Sequence, residues 1–274
     1  MSLLQVQKFR GKTGDNMADK NYLHTAYAYS ADGTDGFTIV YPNLNLLNFK
    51  SGFTFGKYLD WPTGMLIVNN IQRGTFGYVP VTPNAKYTLS ANWKNGSSFS
   101  LFGFNSNADS SATTIFSGVS NTWIPLSNSG QYITKNTTVT IPSGINFIRM
   151  SWISTETLTL QNLLDAKPKL ELGTTATTWM PSASEVTTAD WPKYVGTYVD
   201  TNQTSSTEPS KYVWDEMKYR VYLDGVPVGG SKLLSFDLEN LKAGTSYNVQ
   251  VNQINGNDES DKSESVAFKT TLTK

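Results

Sequence analysis

Sugars present C–H faces and hydroxyl edges. A protein grips them by stacking an aromatic ring on the former and placing amides, carboxylates or guanidinium groups around the latter. Residues 43–181 supply that set repeatedly. Tyr58 and Trp61 stand in a segment without strand alternation, and Asn69, Asn70, Gln72 and Arg73 follow as donors. Trp123 comes just after a polar run, and Tyr132 sits beside Gln131 in a turn-like Gly130-Gln131-Tyr132. Strand parity sorts the others. In Lys86–Lys94, Tyr87, Leu89, Ala91 and Trp93 share a face, so Trp93 is either core or partly exposed at the strand end. In Asn146–Ser154, Ile148, Met150 and Trp152 share the core face. Arg149 is then expected to point outward, into a groove if that face is concave. Phe102 and Phe104 share a face with Ser98 and Ser100 and read as a half-exposed platform. The candidate saccharide-binding set is therefore Tyr58, Trp61, Asn70, Gln72, Trp93, Trp123, Tyr132 and Arg149.

Other chemistries are poorly supplied. The 274 residues contain no cysteine and one histidine, His24, which removes disulfides, thiolate catalysis, Cys-ligated metals and His clusters. Lys and Arg number 22 against 22 Asp and Glu, so no net charge marks the chain for nucleic acid or an anionic membrane. A glycosidase needs two carboxylates across a cleft. Residues 43–181 carry only Asp60, Asp109, Glu156, Asp165 and Glu171, with nothing to mark a pair. Gly229-Gly230-Ser231-Lys232 lacks the upstream spacing of a phosphate loop. His24, in Tyr-Leu-His-Thr, reads as packed among aromatics. The expectation is a binding protein and no enzyme. No run approaches the ~18 apolar residues of a spanning helix. The first residues lack the apolar core of a signal peptide, so release inside a lytic particle is the expected route out of a cell.

The elements that must hold these residues are strands. Short runs rich in Thr, Val, Ile and aromatics, bounded by Asn, Gly, Pro and Ser, recur at Lys86–Lys94, Ser98–Asn105, Asn136–Ile141, Asn146–Ser154, Lys218–Leu223 and Thr245–Gln253. Charged residues are 16%, below the roughly 25% of an average soluble domain, with seven Trp and fourteen Tyr. Helix is expected only briefly, around Leu158–Leu164 and Tyr212–Tyr219. The fold class is all-β, with the turn spacing of a sandwich or jelly roll.

Two separated stretches look like halves of one pattern: Tyr22-Leu23-His24-Thr25-Ala26-Tyr27-Ala28-Tyr29-Ser30-Ala31-Asp32-Gly33 with Gly36-Phe37, and Asp190 to Asp200 followed by Ser206 to Trp214. Together they resemble the minor tail and baseplate proteins of siphophages of the lactococcal type. Residues 43–181, which open on Asn43-Leu44-Asn45-Leu46-Leu47 and close on Ala166-Lys167-Pro168-Lys169-Leu170-Glu171-Leu172-Gly173 to Trp179, resemble a family 4/9-like carbohydrate-binding module. The run from Tyr219 to Ser260 resembles part of a fibronectin type III domain, with Tyr247 as its corner tyrosine.

The resemblance implies 1–42 and 182–217 as two parts of a small split platform domain. A jelly-roll module, 43–181, is inserted between them, and a fibronectin-like sandwich, incomplete if 183–217 do not contribute, follows at 218–274. Trp191, Tyr194, Tyr198, Tyr212 and Trp214 are expected to form the split domain's aromatic core. The implied function is host cell-wall saccharide binding that assists recognition and adsorption, at the virion tail tip and among other baseplate or tail proteins. The alternative is a purely structural baseplate part that touches no sugar. Modules of this kind often hold a structural calcium, for which Glu171, Asp165 and the backbone of Asn43–Asn48 are the candidates. The docking end is expected to be either the first forty or so residues or the C-terminal tail.

Overall fold

The computed structural model describes residues 21–60, 66–68, 70–94, 97–107, 112–114 and 132–271, without the side chains of 93, 94, 98, 112–114 and 132–135. The chain divides into two compact units, one of residues 1–43 with 187–274 and one of residues 44–186. The first unit opens with β1 (Tyr22–Ala28) and β2 (Phe37–Thr38), an antiparallel pair with Tyr27 opposite Thr38.

The inserted unit begins with a single helical turn, α1 (Phe49–Gly52), whose Ser51 N–H is capped by the Asn48 side chain at 2.8 Å. Strands β3 (Phe53–Phe55), β4 (Lys57–Leu59), β5 (Leu66–Val68), β6 (Arg73–Phe76) and β7 (Val79–Pro80) follow. Then come β8 (Lys86–Lys94), β9 (Ser98–Phe104), β10 (Ala112–Thr114), β11 (Tyr132–Thr140) and β12 (Phe147–Ile153). Helix α2 (Leu160–Ala166) and β13 (Lys169–Leu172) close the unit. One sheet runs β10-β9-β12-β6-β3, with β7 on β12; a second runs β11-β8-β13; β4 and β5 form a separate hairpin. The inner faces of the two sheets share one core. Tyr87, Leu89, Ala91, Val139 and Leu170 meet Phe76, Phe99, Leu101, Ile148, Met150 and Trp152, all at most 4% exposed. Each Val, Leu, Ile, Phe and Met side chain among them contributes about 1.5–3 kcal/mol by leaving water. This is the all-β sandwich expected from alternation. The short helix expected near Leu158 is α2, started by a Thr159/Asn162 capping box and stopped at Lys167 in the left-handed region, φ 45°.

The outer face of the larger sheet is also covered. Leu59 and Leu66 from the β4–β5 hairpin pack with Phe102, Phe104, Tyr78 and Phe147 as a second small core. The Leu59 N–H donates to Ser151 Oγ at 3.1 Å, and Ser151 is buried beside Arg149. The expectations that Arg149 points outward and that Phe102 and Phe104 form a half-exposed platform are thereby corrected. Parity placed them on the right face, but a non-local hairpin lies over it.

The ends of the inserted unit are fastened together. Asn45 and Ser182 form a parallel bridge, and the Asn45 side chain accepts from Leu170 N and donates to Pro168 O. The Glu185 carboxylate accepts from Ser182 Oγ and from the backbone N–H of Phe49 and Lys50. Residues 182–186 therefore belong with the insert and not with the second part of the split platform domain, which begins at 187.

After the insert the chain resumes with β14 (Tyr194–Asp200) and β15 (Val213–Glu216), which complete the sheet β15-β14-β1-β2. All seven residues of β1 pair with β14, from Tyr22 opposite Asp200 to Ala28 opposite Tyr194, so the two halves of the split pattern form one sheet. Trp214 is pinned between glycines from both halves. A Cβ on Gly33 would lie 2.6 Å from its ring and one on Gly196 2.5 Å. The residues expected as helix from Tyr212 instead form β15, because the sheet edge and this tryptophan slot fix them as strand.

Strands β16 (Tyr219–Leu223), β17 (Val226–Ser231), β18 (Ser246–Asn255), β19 (Asp258–Glu259) and β20 (Val266–Lys269) form a single sheet, β17-β16-β18-β19 with β20 also on β18. The β16–β17 turn is Asp224-Gly225, both with positive φ. Tyr247 makes the expected corner: its Oη accepts from Lys242 N at 2.9 Å. Among the described residues 218–274 form one sheet, so this segment is not a sandwich of its own. It is completed within its unit. Arg220 Nε donates to Tyr41 Oη at 2.9 Å, its guanidinium lies 4.6 Å from the Trp191 ring, and Gly229 approaches Tyr27 Oη and Phe236 where any Cβ would collide.

Candidate functional site

The turn between β5 and β6 is built on side-chain and backbone hydrogen bonds. Asn70 N–H donates to Gly56 O, Asn70 Oδ1 accepts from Gln72 N at 3.0 Å, and Arg73 N–H donates to Asn70 O. Gln72 is tied to the end of β12, donating through Nε2 to Thr155 O at 3.0 Å and accepting from Ser154 N through its carbonyl. This turn sets the Arg73 guanidinium 3.9 Å from the centre of the half-buried Tyr58 ring, a cation–π stack. Tyr58, Asn70, Gln72 and Arg73 thus come together at one place on the jelly roll. Phe55, Ile67, Val68 and Ile71 are exposed in the same stretch of chain. This stretch offers apolar side chains, a guanidinium and amides at a surface, the group types that can meet C–H and hydroxyl groups, with the Gln72 amide N–H already on Thr155 O and one face of Tyr58 covered by Arg73.

Of the other expected site residues only Arg149 has a described side chain, and it does not join this cluster. Arg149 is 7% exposed; its Nε donates to Phe76 O at 3.0 Å and its guanidinium lies 4.8 Å over Tyr78, as part of the second core. Trp61, Asn69 and Trp123 lie outside the described residues. Trp93 and Tyr132 are placed by backbone only, on β8 and β11 of the smaller sheet, opposite Ile133 and Lys94; their side chains lie outside the description. Arg73 was recognised in the sequence only as a nearby donor. The stack on Tyr58 follows from the register of the β4–β5 hairpin, which short apolar runs do not reveal.

The second aromatic group forms the core of the split sheet. Phe37 meets Tyr212 at 5.2 Å and Trp214 at 5.5 Å, Tyr198 meets Tyr212 at 4.8 Å, and Tyr41 stacks on Trp191 at 5.8 Å. His24 stacks on Tyr198 at 4.6 Å and is 5% exposed. Its Nε2 lies 2.8 Å from Asn202 O, which can only accept, so that nitrogen carries a proton. Nδ1 then faces Ser205 Oγ at 3.0 Å. The histidine is a packed crosslink. A shallow depression of about 310 Å³ lies beside it, lined by Phe37, Thr38, Ile39, Ser205, Ser206 and Thr207.

The calcium candidates do not assemble. Asp165 is exposed on α2 and accepts from Gln161. Glu171 is fully buried. Its carboxylate accepts from Thr177 N at 2.9 Å and Thr177 Oγ1 at 2.6 Å, and the Lys169 ammonium stands 3.4 Å away. A divalent ion there would face a resident positive charge, so these residues do not fit calcium. Among the described residues no group of three or more His, Asp or Glu is gathered as a metal site.

Residues 192–250 match the family described as minor structural protein 5-like, C-terminal domain (BppU-like), a stretch running from β14 into β18. A chain in the solved structure of the tripod (BppUct-A-L) from the baseplate of bacteriophage Tuc2009 is 46% identical, with a TM-score of 0.61 over 94% of this chain and 100% of that one. The chain belongs to this family of phage baseplate proteins. No curated protein matches it. The baseplate protein is therefore a component of the virion tail tip, and its relatives are structural baseplate proteins.

Proposed function

We propose that this baseplate protein holds host cell-wall saccharide and so assists host recognition and adsorption, while associated with other baseplate or tail proteins. The observation that supports this reading is the cluster of Tyr58, Arg73, Asn70 and Gln72 on the inserted jelly roll. Tight binding is not required. A millimolar site is worth about −4 kcal/mol, and several linked copies raise avidity by roughly 10²–10⁴. A structural role without sugar binding has its own support in the exposed Phe55, Ile67, Val68 and Ile71, apolar side chains that suit a protein neighbour.

Calorimetric titration of the full chain with cell-wall polysaccharide purified from the host separates the two. Saturable heat that Tyr58→Ala and Arg73→Ala weaken in chains that remain folded at the titration temperature supports saccharide binding at this cluster. A folded full chain that gives no response at millimolar sugar equivalents overturns it in favour of the structural role.

A further inference from the structure

Among the described residues Lys169 is the one lysine in the set of largest fully buried side chains. Four oxygens surround its Nζ: Thr177 Oγ1 at 2.5 Å, Thr178 O at 2.7 Å, Glu171 Oε2 at 3.4 Å and Thr177 O at 3.5 Å. Two carbonyls, a hydroxyl and a carboxylate converging on one point are the donor set that a hard cation takes in a protein. The charge is relayed as well as paired. Lys169 donates to the Thr177 hydroxyl, which donates in turn to Glu171 Oε2, while the other carboxylate oxygen accepts from Thr177 N. Both charged groups lie on the same face of β13, and their partners all come from the return loop at 177–178. The loop then leads into Trp179, Met180 and the bridge of Ser182 with Asn45 that closes the unit. Burial pulls the ammonium down to about 8, against the upward pull of Glu171.

We propose that the Lys169 ammonium is the built-in cation of this jelly roll, filling the oxygen cage formed by Glu171, Thr177 and Thr178, so that closure of the inserted unit is independent of calcium.

The test is thermal unfolding of the full chain, followed by tryptophan fluorescence. An ion bound to the native state at a thousandfold excess over its Kd raises the midpoint by roughly 8–16 °C. The expected result is the same midpoint in millimolar calcium and in EDTA. A midpoint that calcium raises and EDTA lowers in the unmodified chain overturns the proposal. Lys169→Ala empties the cage, and the expected result is a lowered midpoint that propylammonium raises and propanol does not. Rescue by neither, or by both alike, shows that the charge is not what the cage requires and also overturns it. If Lys169→Ala does not fold, the paired change Lys169→Met with Glu171→Leu removes both charges. It is expected to fold with a higher midpoint than Lys169→Met alone, and a lower one counts against the proposal.

Discussion

Glu185 reaches back across the whole inserted unit to Lys50, accepting its backbone N–H at 2.7 Å and that of Phe49 at 3.1 Å. The same carboxylate accepts the Ser182 hydroxyl, so one side chain gathers both ends of the insert. Hydrogen bonds to a charged acceptor are worth about 1.5–3 kcal/mol before solvent screening is discounted. Glu185→Ala is expected to lower the stability of the 44–186 unit by about 1–2 kcal/mol, read from denaturant midpoints. An unchanged midpoint would show that the Asn45 bridge alone closes the unit.

The same clasp makes the unit sensitive to acid. Partial burial pushes the Glu185 carboxyl up, but the hydrogen bonds from Ser182, Lys50 and Phe49 outweigh it and hold the group below its ordinary range. A carboxyl lowered in the folded state stabilises that state fully above the unfolded value of 4.5, and the contribution is lost as pH falls through the folded value. Stability of the unmodified chain should therefore fall below pH 4.5 more steeply than that of Glu185→Gln. Parallel acid curves would remove Glu185 from the account.

Much of this architecture is legible in the sequence where it depends on local pattern. The inward face of Ile148, Met150 and Trp152 and the Asp224-Gly225 turn follow from alternation and turn chemistry, and the Tyr247 corner from the resemblance to a fibronectin type III domain. The union of Tyr22–Ala28 with Tyr194–Asp200 follows from the resemblance of the two stretches to halves of one family pattern, and Gly33 and Gly196 both lie against Trp214. What depends on distant chain returning over a surface is not legible. Arg149 alternates like a solvent-facing residue, and only the β4–β5 hairpin makes it interior. Lys169 and Glu171 are an instance where a signal existed. Residues two apart on a strand share a face, so a lysine there argues against reading Glu171 as a calcium ligand.

Arg149 and Arg73 should separate stability from binding. Arg149 is interior, bonded to Phe76 O and stacked on Tyr78, so Arg149→Ala removes packing and leaves a buried carbonyl short of a donor. The expected cost is about 2–4 kcal/mol, with saccharide affinity of the folded fraction unchanged. Arg73→Ala, which removes only the half-buried stack on Tyr58, should cost about 0.5–1 kcal/mol yet weaken polysaccharide binding. The reverse pattern in melting and titration would place the saccharide contact on the Arg149 side of the sheet.

Arg220 decides whether residues 218–274 can stand apart from the split sheet. Its guanidinium is buried, paired with Glu259, bonded to Tyr41 and stacked on Trp191, so residues from both sides of the insert converge on it. Removing one partner of a buried ion pair costs about 3–5 kcal/mol because the other charge stays uncompensated. Arg220→Met is expected to unfold the 1–43/187–274 unit at a lower denaturant concentration while the 44–186 transition holds its place. Tyr41 provides an independent reading. Burial pushes its phenol up to about 12, although Arg220 pulls it down. An acid raised in the folded state stabilises that state fully below its unfolded value near 10, and the contribution is lost as pH rises toward 12. In an ultraviolet titration Tyr41 should therefore ionise well after the exposed tyrosines in the unmodified chain, and together with them once Arg220→Met has opened the unit. If the variant keeps the late-ionising tyrosines of this unit and its midpoint, the C-terminal sheet is held by packing alone and Arg220 is not its anchor.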